Sequence, residues 1–214
     1  MAALNFGDGI MKLYTTRLAP NPRRVSWIIA EKNIGDIEIV EVNLLAGEHK
    51  QSAYRDRFGL GHLPGLELDD GTCFTETLAI GRYLEALYPE PNLYGHAARE
   101  QVLIEMWTRR AEIYLANPMM MYVRMTHPAL AALEAPQPEV GAYNKVGAEK
   151  FMKAMNRHLE HNEYLAGRFS VADIVGAVGI DFGRLVKYRP PEELAHLNRW
   201  LSACLERPAA KAGL

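Results

Sequence analysis

Apolar and polar positions follow two different patterns along this chain of 214 residues, with a change near residue 89. Before that point, short apolar runs typical of strands alternate with segments whose apolar residues recur every three or four positions, as in amphipathic helices. The order is strand–helix–strand followed by strand–strand–helix, with a weaker helix between the two groups, and it predicts a small α/β sandwich. The predicted elements are strands at Met11–Thr15, Ile37–Val42, Gly65–Leu68 and Cys73–Phe74, and helices at Pro22–Lys32, at about Glu48–Arg57, and around Ile80, Tyr83, Leu84 and Leu87.

The second part of the chain carries only helical patterns. A stretch rich in proline and glycine, residues 89–95, interrupts the first pattern and predicts a linker. Long helical patterns follow at about 97–125, 139–165, 171–186 and 191–205. We therefore predict a disordered leader over residues 1–10, an α+β domain over 11–88, a linker over 89–98 and an all-α helical bundle over 99–214.

Composition narrows the class of protein. Apolar residues make up 49% of the chain and charged residues 23%, which is ordinary for a soluble globular protein. A net charge of -2 predicts neither a nucleic-acid partner nor attraction to an anionic membrane, and no apolar run is long enough to cross a bilayer. The two cysteines are not spaced as CxxC and offer no disulfide framework, so we expect a cytoplasmic protein.

One stretch of the first domain combines strand, turn and helix signals with polar chemistry. Leu63, Pro64 and Gly65 open a strand, residues 69–72 reverse the chain, and a second strand leads into a helix that begins near Glu76 and Thr77. Free backbone N–H groups at the start of a helix bind anions, and the Glu76 carboxylate is able to hold an ammonium group. The sequence therefore predicts a site for a ligand that carries both charges in one α-amino-acid head.

A capping signal stands in the helical half. Ser170 followed by Asp173 fits a capping box at the start of a helix, with Phe169 and Ile174 where a hydrophobic staple would pack. We predict a structural role for Asp173, in the folding of the helical domain.

These motifs, in this order, resemble those of the cytosolic glutathione transferases. Residues 11–88 resemble the thioredoxin-like glutathione-binding domain of that family, and the rest resembles its all-helical domain, including the capping box. The resemblance implies that Pro64 is cis, that the Leu63 backbone pairs with the cysteinyl backbone of glutathione, and that Glu76 and Thr77 hold the γ-glutamyl head, with threonine replacing the usual serine. It also implies glutathione as co-substrate and a homodimer in which the first domain of one subunit packs on the helical domain of the other.

His49 and Lys50 resemble the segment where several classes place a basic residue near the glycyl carboxylate of glutathione, and His62 is similar to a position where many members carry a polar residue that could contact the same end. His49 and Lys50 stand at the start of the second predicted helix, and His62 comes directly before Leu63. For His49 and Lys50 the alternative is a solvated helix start, and for His62 it is a side chain that faces water.

Catalysis in such a family requires the glutathione thiolate, because only the ionised sulfur is a good nucleophile. Related families place serine two residues before the proline that corresponds to Pro20, or threonine immediately before it; here those positions hold Leu18 and Ala19. Asn21 matches the asparagine of a Thr-Pro-Asn pattern in a nu-like bacterial group; it is a candidate donor to sulfur, a candidate helix cap, or both. The other candidate donors are Tyr14, Thr15, Thr16 and Arg17, of which Thr16 is our second catalytic candidate.

We expect a small hydrophobic electrophile to bind between the domains, against the long helix that follows the linker. The candidate pocket residues are Arg17, Leu18, Arg110, Tyr114 and Met121. Methionine suits a pocket for varied apolar molecules, although methionines at helical spacing also serve as core. No metal site is predicted: His158 and His161 lie one turn apart without an HExxH motif or cysteine cluster, and a solvated helix face is the expected environment.

The leading functional prediction is a glutathione transferase that adds the thiolate to an electrophilic carbon. One alternative is glutathione-driven reduction of disulfides or peroxides; with no cysteine at residues 19–22 it would run on bound glutathione alone. The other alternative is a glutathione-binding module without catalysis, suggested by Leu18 and Ala19.

Overall fold

In a computed structural model of the chain, residues 10–214 are described, and they form two compact units. The first unit contains the chain up to Tyr88 together with Gly213 and Leu214, and the second contains Pro89–Ala212. The predicted leader lies outside the described residues except for Ile10. The first unit mixes strands and helices and the second is helical, so the predicted fold class is confirmed.

The first unit is a four-stranded sheet with three helices. Its strands follow the order β2-β1-β3-β4, with β1 and β2 parallel and the other two pairs antiparallel. The elements are β1 (Met11–Thr15), α1 (Pro20–Glu31), β2 (Ile37–Glu41), α2 (Ser52–Phe58), β3 (Gly65–Glu67), β4 (Cys73–Phe74) and α3 (Thr77–Leu87). Fully buried side chains from β1, α1, β3 and α3 form the core: Leu13, Trp27, Ile28, Leu66, Ile80 and Leu84.

The register of the sheet brings four chain segments to one edge. Tyr14 of β1 lies opposite Gly65 of β3, and Leu66 lies opposite Phe74 of β4. Because β3 runs antiparallel to both neighbours, its beginning lies beside the ends of β1 and β4. The end of β2 joins the same edge, where the Val42 N–H donates to the Thr15 carbonyl at 2.8 Å.

Two helices of the first unit differ from the predicted ones. Helix α1 begins at Pro20, with Ala19 as its N-cap and no side-chain hydrogen bond to the cap. Asn21 is therefore inside the first turn, and the prediction that it caps the helix is wrong. The predicted helix over 48–57 is a short 3₁₀ turn, Glu48–Lys50, followed by α2, because the Gln51 backbone between them is extended.

The second unit is built from five α-helices. They are α4 (Ala98–Ala111), α5 (Asn117–Thr126), α6 (Pro138–Leu159), α7 (Val171–Phe182) and α8 (Ala195–Leu205). Residues 171–180 are all buried, so α7 is the central helix of this unit. In the described part of the chain, no helix is long and apolar enough to cross a membrane.

The long helix predicted over 97–125 is interrupted. A π-helical turn, Glu112–Ala116, separates α4 from α5. Pro118 follows this turn and has no N–H to donate to the Tyr114 carbonyl, so the α-helical ladder cannot continue there. A side chain on Gly179 of α7 would place its Cβ 2.6 Å from the Cβ of Ala116, which shows how closely α7 packs on the turn.

The predicted capping box is present at the start of α7. The Ser170 N–H donates to the Asp173 carboxylate at 3.0 Å, and the Ser170 hydroxyl also lies within hydrogen-bond distance, at 3.1 Å. Two further donors, which the sequence did not reveal, are the Leu165 N–H at 2.9 Å and the Trp200 indole at 2.8 Å. Asp173 thus ties α7 to the preceding loop and to α8, and burial raises its pKa to about 6.

The segment that precedes α4 is ordered and fastened to the second unit. The Leu93 side chain is buried and its carbonyl accepts from the Val171 N–H at 3.1 Å. The Arg168 guanidinium donates to the Asn92 carbonyl at 2.6 Å and to the Glu100 carboxylate at 2.5 Å. These bonds fix the course of the chain as it enters the helical unit.

His158 does not lie on a solvated face. Its ring stacks on Trp107 with a centroid distance of 4.2 Å, and its Nε2 lies 2.9 Å from the Leu165 carbonyl oxygen. His161, one turn further on, is exposed as predicted. The prediction therefore holds for one histidine and is wrong for the other.

Candidate functional site

The first part of the candidate site is the start of β3. The Leu63–Pro64 peptide bond is cis, as the resemblance implied. Pro64 and Gly65 are buried, and a Cβ on Gly65 would lie 2.5 Å from the Phe58 ring, so only glycine fits there without displacing that ring. Since Gly65 pairs with Tyr14, the Leu63–Pro64 segment lies beside the end of β1.

The second part is the start of α3. Glu76 is the N-cap and has a left-handed backbone, with φ of 66°, and Thr77 is buried at 7% exposure. No side chain among residues 10–214 caps this helix, so within them its first N–H groups remain available for an anion. The Glu76 carboxylate is exposed beside them. A left-handed backbone at a residue other than glycine is strained, and such strain concentrates at ligand-binding positions.

The third part is the start of α1. Four N–H groups at a helix start have no partner within the helix, but here two of the positions are Pro20 and Pro22, which have no N–H. The remaining donors are the backbone N–H groups of Ala19 and Asn21. The Asn21 side-chain oxygen is buried and has no hydrogen-bond partner among the described residues. This helix start therefore offers two backbone donors and a polar amide, and no hydroxyl.

Two threonines follow at the end of β1. The Thr15 hydroxyl is buried and lacks a partner in the described part of the chain. Thr16 lines a cavity of about 400 Å³ together with Arg17, Glu41, Val42, Asn43 and Glu48. Arg17 is exposed, and its Nε lies 3.7 Å from the Glu41 carboxylate. Thr16 is thus accessible from a polar cavity, whereas Thr15 is enclosed.

Tyr14 is engaged elsewhere. Its hydroxyl donates to Glu67 at 2.7 Å and accepts from the Arg57 guanidinium, and its ring packs edge-on against Phe58 at 5.1 Å. Burial, followed by the hydrogen bond to Glu67, raises the pKa of this phenol. Tyr14 belongs to the packing between the sheet and α2, and its hydroxyl is occupied by Glu67 and Arg57 rather than available to sulfur.

His49 is buried at 6% exposure, so it is not part of a solvated helix start. Burial, then the neighbouring Lys50 and His62, lowers its pKa, which keeps the imidazole neutral at pH 7. Its Nδ1 has no partner within residues 10–214. A Cβ on Gly61 would lie 2.9 Å from the His49 carbonyl oxygen, so the 3₁₀ turn packs on the segment that leads to Pro64.

The other two basic residues of this region are exposed. The His62 carbonyl accepts from the Tyr54 hydroxyl at 2.7 Å, which holds the backbone just before Leu63. If the region binds a carboxylate, Lys50 supplies the positive charge and His49 supplies a neutral hydrogen-bonding group.

The candidate pocket residues of the second unit have different environments. The Arg110 guanidinium lies over the Trp107 ring at 5.1 Å. Tyr114 is 54% exposed and its ring lies 5.6 Å from that of Phe151. Met121 is half-buried. Two other methionines of α5, Met119 and Met125, are buried in the core of the unit, so the methionines of this helix serve both core and surface.

Comparison with known proteins identifies the family. Residues 13–92 match the family model of the glutathione S-transferase N-terminal domain, and residues 114–208 match that of the C-terminal domain. The chain belongs to the glutathione S-transferase family. The resemblance inferred from the sequence is thereby confirmed.

Individual members of the glutathione S-transferase family are similar over almost the whole chain. Glutathione S-transferase 2 of Saccharomyces cerevisiae is 35% identical over 209 residues, which span 94% of this chain and 88% of the yeast protein. The crystal structure of a glutathione S-transferase domain-containing protein from Marinobacter aquaeolei VT8 superposes with a TM-score of 0.88 at 36% identity, covering 93% of this chain and 99% of that one. That of Gtt2 from Saccharomyces cerevisiae has a TM-score of 0.87 at 35% identity, covering 94% and 98%.

Proposed function

We propose that this protein transfers glutathione to electrophilic carbon by stabilising the thiolate at the start of α1. The observation that supports the proposal is the register of the sheet, which brings the strand ends next to three features to one edge. These are the cis Leu63–Pro64 segment, the uncapped start of α3 at Glu76, and the start of α1 with its two free N–H groups. Membership of the glutathione S-transferase family supports glutathione as the ligand.

Glutathione would bind by its two ends and its backbone. The γ-glutamyl head carries an ammonium group and a carboxylate, which match the Glu76 carboxylate and the N–H groups that begin with Thr77. The cysteinyl backbone would pair with Leu63 in the manner of an added strand next to Pro64. The glycyl carboxylate would face His49, Lys50 and His62, the first neutral and buried, the other two exposed.

The thiolate would lie at the start of α1. We propose Asn21 and Thr16 as the side chains that donate to sulfur, beside the backbone N–H groups of Ala19 and Asn21. The role of Asn21 is supported by two facts: its amide does not serve as the helix cap, and it stands in the first turn, where the helix dipole favours negative charge.

We propose that Arg17, Leu18, Arg110, Tyr114 and Met121 contact the electrophile, with exposed Leu18 and Tyr114 providing apolar surface. We also propose a homodimer in the cytoplasm. Sedimentation as a monomer at micromolar concentration would exclude the dimer.

The test is an ultraviolet titration of the bound glutathione thiol, with protein in excess, on the wild type and on Asn21→Ala and Thr16→Ala. A hydrogen bond to a charged group contributes about 1.5–3 kcal/mol. At pH values below the pKa of the bound thiol, losing a donor to sulfur should therefore reduce the fraction of thiolate about ten-fold or more. Glutathione affinity at a pH where the thiol is protonated should change little. Thr72→Ala, which removes a hydroxyl from the hairpin turn at the opposite edge of the sheet, is the matched control.

The outcomes separate the alternatives. A wild-type protein that binds glutathione without lowering the thiol pKa below about 8.5 is a binding module and not a transferase. A lowered pKa with turnover of a small disulfide, but none of an aromatic halide, indicates a reductase. If both variants keep the wild-type titration, the thiolate is stabilised by the helix start alone and our side-chain assignment is wrong.

A further inference from the structure

Gly213 contacts the loop that leads into α1. The carbonyl oxygen of Gly213 accepts from the Leu18 N–H at 3.0 Å, and Gly213 and Leu214 belong to the first compact unit. This bond joins residues 195 positions apart in the chain, and Leu18 stands directly before Ala19, the N-cap of α1.

Gly213 is closely packed at this position. A Cβ on it would lie 3.2 Å from the Cα of Arg23 and 3.2 Å from the Cβ of Ser26, both on α1. Its φ of 75° is in the left-handed region, which favours glycine. Gly213 therefore lies against both the loop before α1 and the first two turns of the helix, and its geometry favours glycine.

The conformation of this loop is unusual at Leu18. Leu18 has a left-handed backbone, with φ of 65°, although it is not glycine, and its side chain is 52% exposed. A strained residue keeps its conformation only when its surroundings impose it, and the bond from Gly213 is a contact that does so.

The peptide plane between Leu18 and Ala19 sets the direction of the Ala19 N–H. That group is one of the two backbone donors left at the start of α1, because Pro20 and Pro22 have none. A bond that fixes Leu18 thus also fixes a donor of the thiolate site, although Gly213 does not itself touch glutathione in the proposed arrangement.

We propose that Gly213 is a positioning residue, which holds Leu18 in its left-handed conformation and so aims the Ala19 N–H at the glutathione sulfur. This inference rests on the proposed function, since it assumes that the sulfur lies at the start of α1. No motif in residues 10–88 indicates that Gly213 has this role in the first unit.

Two variants test it, each beside a control. The first is Gly213→Ala, which adds a Cβ where 3.2 Å is available and where φ is positive; its control is Gly71→Ala, at a φ of 82° in the same unit with nothing within 4 Å of the added Cβ. The second is a chain that ends at Ala212; its control is Leu214→Ala, which keeps the Gly213 carbonyl. Thermal melting verifies that each variant is folded.

The expected signature is a pH-dependent loss. Both Gly213→Ala and the shortened chain should raise the pKa of the bound glutathione thiol by about one unit, so kcat/KM should fall about ten-fold well below that pKa and approach the wild-type value above it. A general loss of structure would lower the rate at every pH. Equal loss across the pH range, or no loss in the shortened chain, overturns the proposal.

A second measurement does not depend on activity. Hydrogen exchange followed by NMR should show a protected Leu18 amide beside a rapidly exchanging Ala19 amide in the free protein, and protection of Leu18 should disappear in the shortened chain. If the Leu18 amide of the wild type exchanges freely, the positioning role of Gly213 is refuted, whatever the measured activity. If that amide is protected but glutathione is bound without a lowered thiol pKa, the proposed function fails. The bond between Leu18 and Gly213 then has no role in catalysis.

Discussion

Replacing Asp173 with alanine should destabilise the helical unit far more than an ordinary helix-cap substitution. The carboxylate accepts from the Leu165 N–H, the Ser170 N–H and the Trp200 indole at 2.9, 3.0 and 2.8 Å. Ser170 and Asp173 have no exposed surface. In Asp173→Ala these three donors remain buried without a partner.

The magnitude follows from two opposing contributions. Three unpaired buried donors cost about 1–3 kcal/mol each, or about 3–9 kcal/mol together. Removing the carboxylate also relieves its own burial, which raises its pKa from 3.8 to about 6, and this rise corresponds to about 3 kcal/mol. Their difference is a loss of about 3 kcal/mol in the free energy of unfolding, within a range from about 0 to about 6 kcal/mol.

Urea unfolding at pH 7, followed by tryptophan fluorescence, measures this loss. Asp173→Asn should retain the acceptor for Leu165 and Trp200, leave only Ser170 unpaired, and lose about 2 kcal/mol less than alanine. The control is Asp181→Ala on the same helix, whose partly exposed ion pair with Arg184 should contribute under about 1 kcal/mol. If Asp173→Ala and Asp181→Ala cost the same, the buried network does not stabilise this unit and the reasoning is refuted.

Two further predictions follow from pKa and packing. The pKa of Asp173 is about 6 in the folded protein and 3.8 in the unfolded chain, so the folded state binds more protons between these pH values. The free energy of unfolding should therefore fall as pH rises from about 4 to about 6. The urea midpoint of the wild type, plotted against pH relative to that of Asp173→Asn, should show this slope, and a constant difference between the two midpoints would contradict it. Gly65→Ala should lose about 1–3 kcal/mol, because its Cβ would lie 2.5 Å from the Phe58 ring, and should weaken glutathione binding measured by calorimetry. Gly35→Ala, with nothing within 4 Å, is the control and should change neither quantity.

Features encoded by neighbouring residues could be predicted from the sequence. The turn at residues 69–72 depends on Gly71, with φ of 82°, and on the Asp70 side chain, which accepts from the Thr72 N–H at 2.8 Å. The capping box likewise depends on residues three positions apart. Both signals are local, so no knowledge of the rest of the fold was needed to read them.

Errors arose where one local signal competes with another or where the partner is distant. Asn21 and Ala19 both precede prolines, and asparagine is the better cap, yet the helix begins at Pro20. The π-helical turn had a local signal, Pro118, that an otherwise regular apolar pattern concealed. The bond between Gly213 and Leu18 had no local signal, because no pattern in the sequence around either residue indicates that the two are in contact.

The absence of hydroxyls at Leu18 and Ala19 does not by itself argue against a thiolate site. Bringing a thiol pKa from about 8.5 to about 7 requires about 2 kcal/mol. One hydrogen bond to the charged sulfur contributes about 1.5–3 kcal/mol, and a helix start adds about 0.3–1 kcal/mol. The backbone N–H groups of Ala19 and Asn21 are therefore sufficient in energy, provided that they point at the sulfur. The requirement shifts from having a hydroxyl to holding the backbone in place, and for that reason the conformation of Leu18 matters more here than the chemistry of its side chain.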